Sequence, residues 1–104
     1  MKKNKVDVIK VNVTRNKFSG RYYATCYGGM CTLFSFKKCN GLENGWEFYD
    51  HFTKKNRLVC CSGSEFPLES FVSLAKATSY IRFCNRALPE IELTVRAKKL
   101  LKIK

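Results

Sequence analysis

The sequence predicts an α+β fold of about six mainly antiparallel strands, with one long helix near the C-terminus packed on one sheet face and then a final strand. Several segments alternate apolar and polar residues, which is the period of a half-buried strand. Glycine-containing turns separate them, and one later stretch has the apolar spacing of a helix. Strands in succession followed by a helix are typical of this class. A chain of 104 residues fits a single domain.

The first predicted strand covers residues 5–15, in which Ile9, Val11 and Val13 share one face. Residues 16–20 follow as a polar turn that ends in glycine. The apolar side of this strand indicates that one face of the sheet is buried from its beginning.

Residues 21–38 predict a hairpin about Gly28 and Gly29, because glycine adopts the positive φ of a tight turn without steric penalty. In the predicted register, Cys26 lies opposite Cys31. One face then carries Arg21, Tyr23, Thr25, Tyr27, Met30, Thr32, Phe34 and Phe36, and the other carries Tyr22, Ala24, Cys26, Cys31, Leu33 and Ser35.

The aromatic face of this hairpin has two interpretations. Exposed to solvent with Arg21 at its rim, it would stack nucleic-acid bases. Covered by the helix, it would form the hydrophobic core, which is the more common place for aromatic side chains on a sheet.

Residues 46–53 alternate in the manner of a further strand, and the face with Trp46 and Phe48 is predicted to be core. Residues 54–57 are predicted as a basic loop tip, and residues 58–61 as a short apolar strand. This second hairpin would complete the antiparallel part of the sheet.

The long helix is predicted from about residue 66 to about residue 88, and Pro89 ends it. Ser64 is the predicted N-cap, and Pro67 is tolerated in the first turn. Its apolar stripe comprises Phe71, Leu74, Thr78, Ile81 and Leu88, widened by Leu68, Val72 and Ala75.

Residues 90–104 alternate once more and predict a final strand with a basic outer face. A short amphipathic helix over residues 97–104 is the alternative. The inward positions of the strand would be Ile91, Leu93, Val95, Ala97, Leu101 and Ile103.

The charge of the chain is concentrated at its two ends. The formal net charge is +12, of which residues 1–42 carry +8 and residues 93–104 carry +5, while residues 43–92 carry −1. If the end segments are neighbouring strands, their cations form one basic surface that attracts phosphate polyanions and releases their counterions. The other interpretation is that lysine-rich ends confer solubility and block edge pairing.

The leading functional hypothesis is therefore a small non-enzymatic protein that binds nucleic acid or a ribonucleoprotein through this basic surface. The tyrosines among the predicted contact residues would stack bases if they are exposed. The predicted contact residues are Lys2, Lys3, Lys5, Lys10, Arg15, Lys17, Arg21, Tyr22, Tyr23, Tyr27, Lys37, Lys38, Arg96, Lys98, Lys99, Lys102 and Lys104.

The rival hypothesis is a phage or mobile-element inhibitor that binds and blocks a host defence protein complex. Small size and the lack of a complete catalytic constellation allow this reading. No leader with an apolar core follows the basic start of the chain, and no apolar run reaches the length of a membrane span, so we expect a cytoplasmic protein of a cell or an infected host.

We expect no catalytic residues, cofactor or metal. His51 is the only histidine, so a cysteine nucleophile would have to use it as its base. Cys26 and Cys31 form one plausible zinc knuckle, but the usual C-x2-C pairing is absent. The same two cysteines are able to form a cross-strand disulfide if they are oxidised, whereas a reducing cytosol keeps them as thiols.

Overall fold

A six-stranded sheet is the scaffold of the protein. The structure is a computed structural model that describes residues 7–39, 45–60, 66–84 and 87–103. The strands lie in the order β5-β4-β3-β2-β1-β6, and every neighbouring pair is antiparallel except β1 and β6, which are parallel. The α+β class with six mainly antiparallel strands is therefore confirmed. The strands are β1 (Val8–Arg15), β2 (Tyr22–Cys26), β3 (Cys31–Lys38), β4 (Gly45–Asp50), β5 (Lys55–Cys60) and β6 (Glu90–Leu93).

The central hairpin, β2 and β3, contains a bulge. Cys26 pairs with Cys31 as predicted, but the register shifts further along, so that Ala24 lies opposite Phe34 rather than Leu33. A bulge places two residues of one strand against one residue of its partner, and here both Leu33 and Phe34 are fully buried. The predicted division of the hairpin faces is consequently wrong beyond the bulge.

The correction brings Phe34 and Phe36 onto the same face as Tyr22, Ala24 and Cys26. Tyr22 now lies opposite Phe36, and their rings stack with centroids 5.2 Å apart. The turn at the tip of the hairpin keeps its predicted glycines in the left-handed region, with φ of 67° and 93°.

The helix-facing side of the sheet holds an aromatic core. Phe36 lies at its centre, stacked on Phe48 at 5.3 Å and perpendicular to Phe71 at 5.5 Å. Trp46 and Phe66 pack against the same ring at 6.0 and 5.6 Å. The interpretation of the hairpin phenylalanines as core under the helix is confirmed.

The C-terminal helix is shorter than predicted and changes its winding. Helix α1 (Leu68–Ser79) buries Phe71, Ala75 and Thr78 at helical spacing and continues as a π-helical turn, Tyr80–Cys84. A π-helical turn holds an extra residue, so side chains within it and after it leave the α-helical stripe. Ile81 is accordingly 47% exposed instead of buried. The predicted N-cap, Ser64, lies outside the described residues.

The last segment is a short strand followed by a helix, not one long strand. Helix α2 (Val95–Leu101) starts where the Thr94 hydroxyl accepts the backbone N–H of Ala97 at 3.1 Å. An N-cap of this kind satisfies an amide that would otherwise lack a partner. Val95, predicted to point inward, is 72% exposed, while Ala97 and Leu101, four residues apart, are buried. The alternative of a short helix over residues 97–104 is closer to the structure.

The hairpin of β4 and β5 turns earlier than predicted. The Asp50 carboxylate accepts backbone N–H groups of Phe52 and Thr53 at 2.8 and 3.3 Å, which closes a turn over residues 51–54. Residues 55–57, predicted as loop, are therefore part of β5, and Phe52 leaves the core face. None of the helices in the described ranges is long and apolar enough to cross a membrane.

Truncation of the central core ring tests this packing. Phe36→Ala is expected to lower the free energy of unfolding by roughly 3–5 kcal/mol, because it removes a buried ring and leaves a cavity. Phe18→Ala is the matched control, since the Phe18 side chain is 99% exposed in the β1–β2 turn. Urea denaturation followed by circular dichroism measures both. Equal midpoints for the two variants would contradict the assigned core.

Candidate nucleic-acid interface

The face of the sheet opposite the aromatic core is mostly polar, and we call it the open face. Directly paired residues point to the same side of a sheet, so the strand registers define its members. The buried side chains of α1 and α2 belong to the core on the other side. The open face comprises Val8, Lys10, Asn12, Thr14, Tyr23, Thr25, Thr32, Ser35, Lys37, Glu47, Tyr49, Asn56, Leu58, Glu90 and Glu92.

A groove of about 670 Å³ crosses β1 at one end of this face. Its walls come from three distant parts of the chain: the first strand, the tip of the central hairpin, and the junction of β6 with α2. The lining residues are Val8, Lys10, Asn12, Cys26, Tyr27, Gly28, Thr94 and Arg96. Both ends of the chain therefore contribute to one concave surface.

Backbone and side-chain hydrogen bonds fix the β6–α2 wall of the groove. The Thr94 N–H donates to the Val11 carbonyl at 3.1 Å, and the Thr94 hydroxyl donates to the Asn12 side-chain oxygen at 2.6 Å. The same hydroxyl oxygen caps α2, so one residue ties the helix start to the first strand. Arg96 is thereby held close to β1.

The groove is basic with two acidic neighbours on β6, Glu90 beside Val8 and Glu92 beside Lys10. Lys10 and Arg96 are both exposed and line it. Glu92, however, lies beside Lys10 in the β1–β6 register. Two cations in one groove still attract a phosphate, but the adjacent carboxylates weaken that attraction.

Tyr27 forms the opposite wall. Its ring is 54% exposed and meets the Phe83 ring edge-to-face, with centroids 5.2 Å apart. Tyr27 has a φ of 54°, which is uncommon for a residue other than glycine. The turn thus holds an aromatic ring at the mouth of a groove that contains two cations.

A second group of side chains, the His51 cluster, surrounds Ser35 on the open face. It consists of Arg21, Tyr23, Ser35, Tyr49 and His51. Arg21 Nη1 donates to Ser35 Oγ at 2.9 Å, and His51 Nε2 lies 2.9 Å from the same oxygen. The His51 ring stacks near Tyr23, with centroids 6.4 Å apart, and meets Tyr49 perpendicularly at 4.8 Å.

The protonation of His51 follows from its surroundings. Partial burial, followed by the nearby Arg21 guanidinium, lowers the pKa of His51 from 6.5, against the opposing effect of Asp50. The imidazole is therefore neutral at pH 7. A guanidinium only donates hydrogen bonds, so Ser35 Oγ accepts from Arg21. The same oxygen shares a second hydrogen bond with His51 Nε2, whose direction is set by the imidazole tautomer.

This serine–histidine pair lacks the exposure that a nucleophile needs. The Ser35 side chain is fully buried under Arg21, His51 and the neighbouring rings. A catalytic serine must reach its substrate, whereas Ser35 is enclosed. The arrangement instead orients His51 and Arg21. The sequence does not predict this cluster, because Ser35 of β3 and His51, directly after β4, are brought together only by the pairing of the two strands.

Glu47 partly neutralises Arg21. Its Oε1 lies 3.5 Å from Arg21 Nη2, and its Oε2 accepts from Asn56 Nδ2 at 2.8 Å. Arg21 is thus engaged on two sides, by Ser35 and by Glu47. It supports the cluster more than it offers a free charge to a phosphate.

The other predicted contact residues fall into separate places. Tyr22 lies on the core face, where its ring stacks on Phe36 and the Arg15 guanidinium sits 5.5 Å from its centroid. Exposed cations at the β1–β2 end of the sheet and on α2 are Arg15, Lys17, Lys37, Lys38, Lys98, Lys99 and Lys102. Lys2, Lys3, Lys5 and Lys104 lie outside the described residues.

The cross-strand cysteines are free thiols. Cys26 is buried and Cys31 half-buried on neighbouring strands. Burial, together with Cys31 beside it, raises the pKa of Cys26 to about 11, so this thiol stays protonated and unreactive at neutral pH. Within the part of the chain that the structure describes, no three His, Cys, Asp or Glu side chains are grouped to hold a metal ion.

The depressed pKa of His51 predicts a pH dependence of stability. The unfolded chain protonates His51 at a higher pH than the folded chain, so its contribution is present above pH 6.5 and is lost as the pH falls through the folded pKa. We expect the free energy of unfolding to fall more steeply between pH 7 and pH 5 in the natural protein than in His51→Gln. Chemical denaturation across this range measures it; parallel curves for the two proteins would contradict the cluster geometry.

No protein-family model, curated protein or solved structure matches the chain. Its function is therefore inferred from the groove and the His51 cluster themselves.

Proposed function

We propose that this is a small non-enzymatic nucleic-acid- or nucleoprotein-binding protein that acts in the cytoplasm of a cell or of an infected host. The observation that carries the proposal is the groove, where Lys10 of the first strand and Arg96 of α2 line one surface with Tyr27. Cations beside an exposed aromatic ring are the combination that binds a phosphate backbone together with a base.

Long-range charge supports the same partner. The chain carries a formal net charge of +12, and the exposed lysines of α2, on the same helix as Arg96, extend the positive potential away from the groove. A polyanion gains free energy by releasing its condensed counterions to such a surface, whereas a small neutral ligand gains nothing from it. The basic surface built from both chain ends would thus draw nucleic acid towards the groove.

The groove lining also fits binding better than chemistry. Its polar side-chain groups are an amine, a guanidinium, an amide, a phenol, a thiol and a threonine hydroxyl that is already bonded to Asn12. None of these is a base poised beside a nucleophile. Cys26, the one thiol in the lining, is protonated at neutral pH because burial raises its pKa to about 11.

Removal of the two groove cations tests the proposal. The double variant Lys10→Gln with Arg96→Gln is expected to flatten the slope of log K against log salt concentration by roughly 1.4 to 1.8, because each lost phosphate contact contributes about 0.7 on a single strand and about 0.9 on a duplex. Fluorescence anisotropy with a labelled oligonucleotide over a salt series measures the slope.

The matched control is Lys55→Gln with Arg57→Gln. It removes the same two charges from β5, which lies at the opposite edge of the sheet from β1 and β6. The control is expected to keep the slope of the natural protein. Equal flattening in both double variants would show attraction to net charge alone and would contradict the groove as the binding site.

A second candidate function, a phage or mobile-element inhibitor of a host defence protein complex, has an observation of its own. Exposed apolar side chains lie around Arg82, at the end of the sheet that contains the tip of the central hairpin. We call this group the end patch, and its members are Tyr27, Met30, Phe52 and Phe83. Arg82 donates to the Thr32 carbonyl at 2.6 Å and lies 5.0 Å from the Phe52 ring centroid. Aromatic residues, methionine and arginine are enriched at protein interfaces.

One pull-down from host lysate separates the two candidates. A nucleic-acid partner is lost after nuclease treatment and at high salt. A protein partner survives both, is stoichiometric, and is lost in Met30→Asp, whose side chain is 87% exposed at the end patch, but not in the groove double variant.

A further inference from the structure

We infer that the His51 cluster is a base-stacking site, and that the nucleic acid bound on the open face is single-stranded. This rests on the proposed function, because it names the class of ligand for the same face of the sheet. The cluster joins three rings, Tyr23, Tyr49 and His51, where sequence reasoning identified only Tyr23 as a candidate.

The position of the cluster is the first support. Its rings lie on the open face, away from the aromatic core, and His51 is exposed while Tyr23 and Tyr49 are half-buried. Bases in a duplex are already stacked on one another, so their faces are not available to protein rings. The bases of a single strand are available and gain free energy from each ring on which they stack.

The rigidity of the cluster is the second support. Ser35 is buried and bonded to both Arg21 and His51, so the imidazole is held in one orientation. Rings that are fixed before binding lose little conformational entropy when a ligand arrives.

The charge state of the cluster is the third support. His51 is neutral at pH 7 because burial and Arg21 lower its pKa. Glu47 lies within 3.5 Å of Arg21. The cluster therefore contributes aromatic surface with little net charge, and the phosphates must be held elsewhere on the open face.

The groove supplies that second contact. Tyr27 lies in the turn directly after β2, four positions beyond Tyr23, which is at most roughly 13 Å at the rise of a strand. Thr25, between them, lies opposite Asn12, which lines the groove. A single strand that follows β2 would meet the cluster at one end and Lys10 and Arg96 beside Tyr27 at the other.

The experiment compares three short DNA probes of equal length: a single strand, the same strand without bases, and the matching duplex. The natural protein is expected to bind the base-bearing single strand most tightly. Tyr23→Ala is expected to weaken that binding by roughly 5- to 100-fold and to leave binding of the abasic strand nearly unchanged, since it removes stacking but no charge. Tyr23→Phe keeps the ring and should retain the preference.

Two further measurements make the result decisive. Phe18→Ala removes an exposed ring from the β1–β2 turn and should change nothing. Photo-crosslinking of a halogenated single strand to the natural protein, mapped by mass spectrometry, should label Tyr23, Tyr49 or His51 and spare Tyr22 on the core face. This mapping decides the matter even if Tyr23→Ala fails to fold.

The outcomes distinguish the inference from the function on which it rests. Binding of all three probes with equal affinity, or crosslinks that avoid the cluster, would overturn single-strand stacking while leaving a basic nucleic-acid binder. Failure to bind any probe at low salt would overturn the proposed function as well.

Discussion

The parallel pairing of β1 with β6 is the interaction on which the remaining geometry depends. Parallel strands cannot be joined by a tight turn, so four strands and α1 lie between them in the chain. The Glu90 N–H bonds to the Asp7 carbonyl at 2.7 Å, and the Thr94 N–H bonds to the Val11 carbonyl at 3.1 Å. These bonds register the end of the chain against its beginning. Without them, α2 and its Arg96 would have no fixed relation to Lys10, and the groove would not exist.

The two faces of the sheet carry different sets of aromatic residues. The core face under α1 is filled by rings that exclude water, and Tyr22 stacks on one of them: Phe34, Phe36, Phe48, Phe71 and Trp46. Tyr23, Tyr49 and His51 lie on the other face, where their polar atoms remain accessible to hydrogen-bonding partners. A ring with a polar end suits a surface that is partly wet, whereas a wholly apolar ring is most stable when buried. The open face therefore carries both aromatic and polar groups, and its rings are additional to those of the hydrophobic core.

Much of the fold is predictable because it follows local periodicity. The buried side of β1, the core residues Trp46 and Phe48, and the glycine turn of the central hairpin are all legible in the sequence. Three features are not predictable in this way, because each interrupts the periodic spacing of apolar residues: the bulge in β3, the π-helical turn after α1 and the start of α2. The His51 cluster is missed for another reason: Ser35 and His51 are distant in the chain, and only the β3–β4 register brings them together.

The bulge at Leu33 also determines which changes in the length of β3 the protein tolerates. One surplus residue in β3 sets which way every later side chain of that strand points. Loss of the Leu33 codon would restore a regular ladder in which Phe34 still lies opposite Ala24 and Phe36 opposite Tyr22, so both rings would stay on the core face. Loss of a codon beyond the bulge, at Ser35 for example, would instead turn every later side chain of β3 to the opposite face. Point substitutions on the open face carry no such consequence. Natural variants with a shorter β3 should therefore lack a residue at the bulge and not farther along the strand.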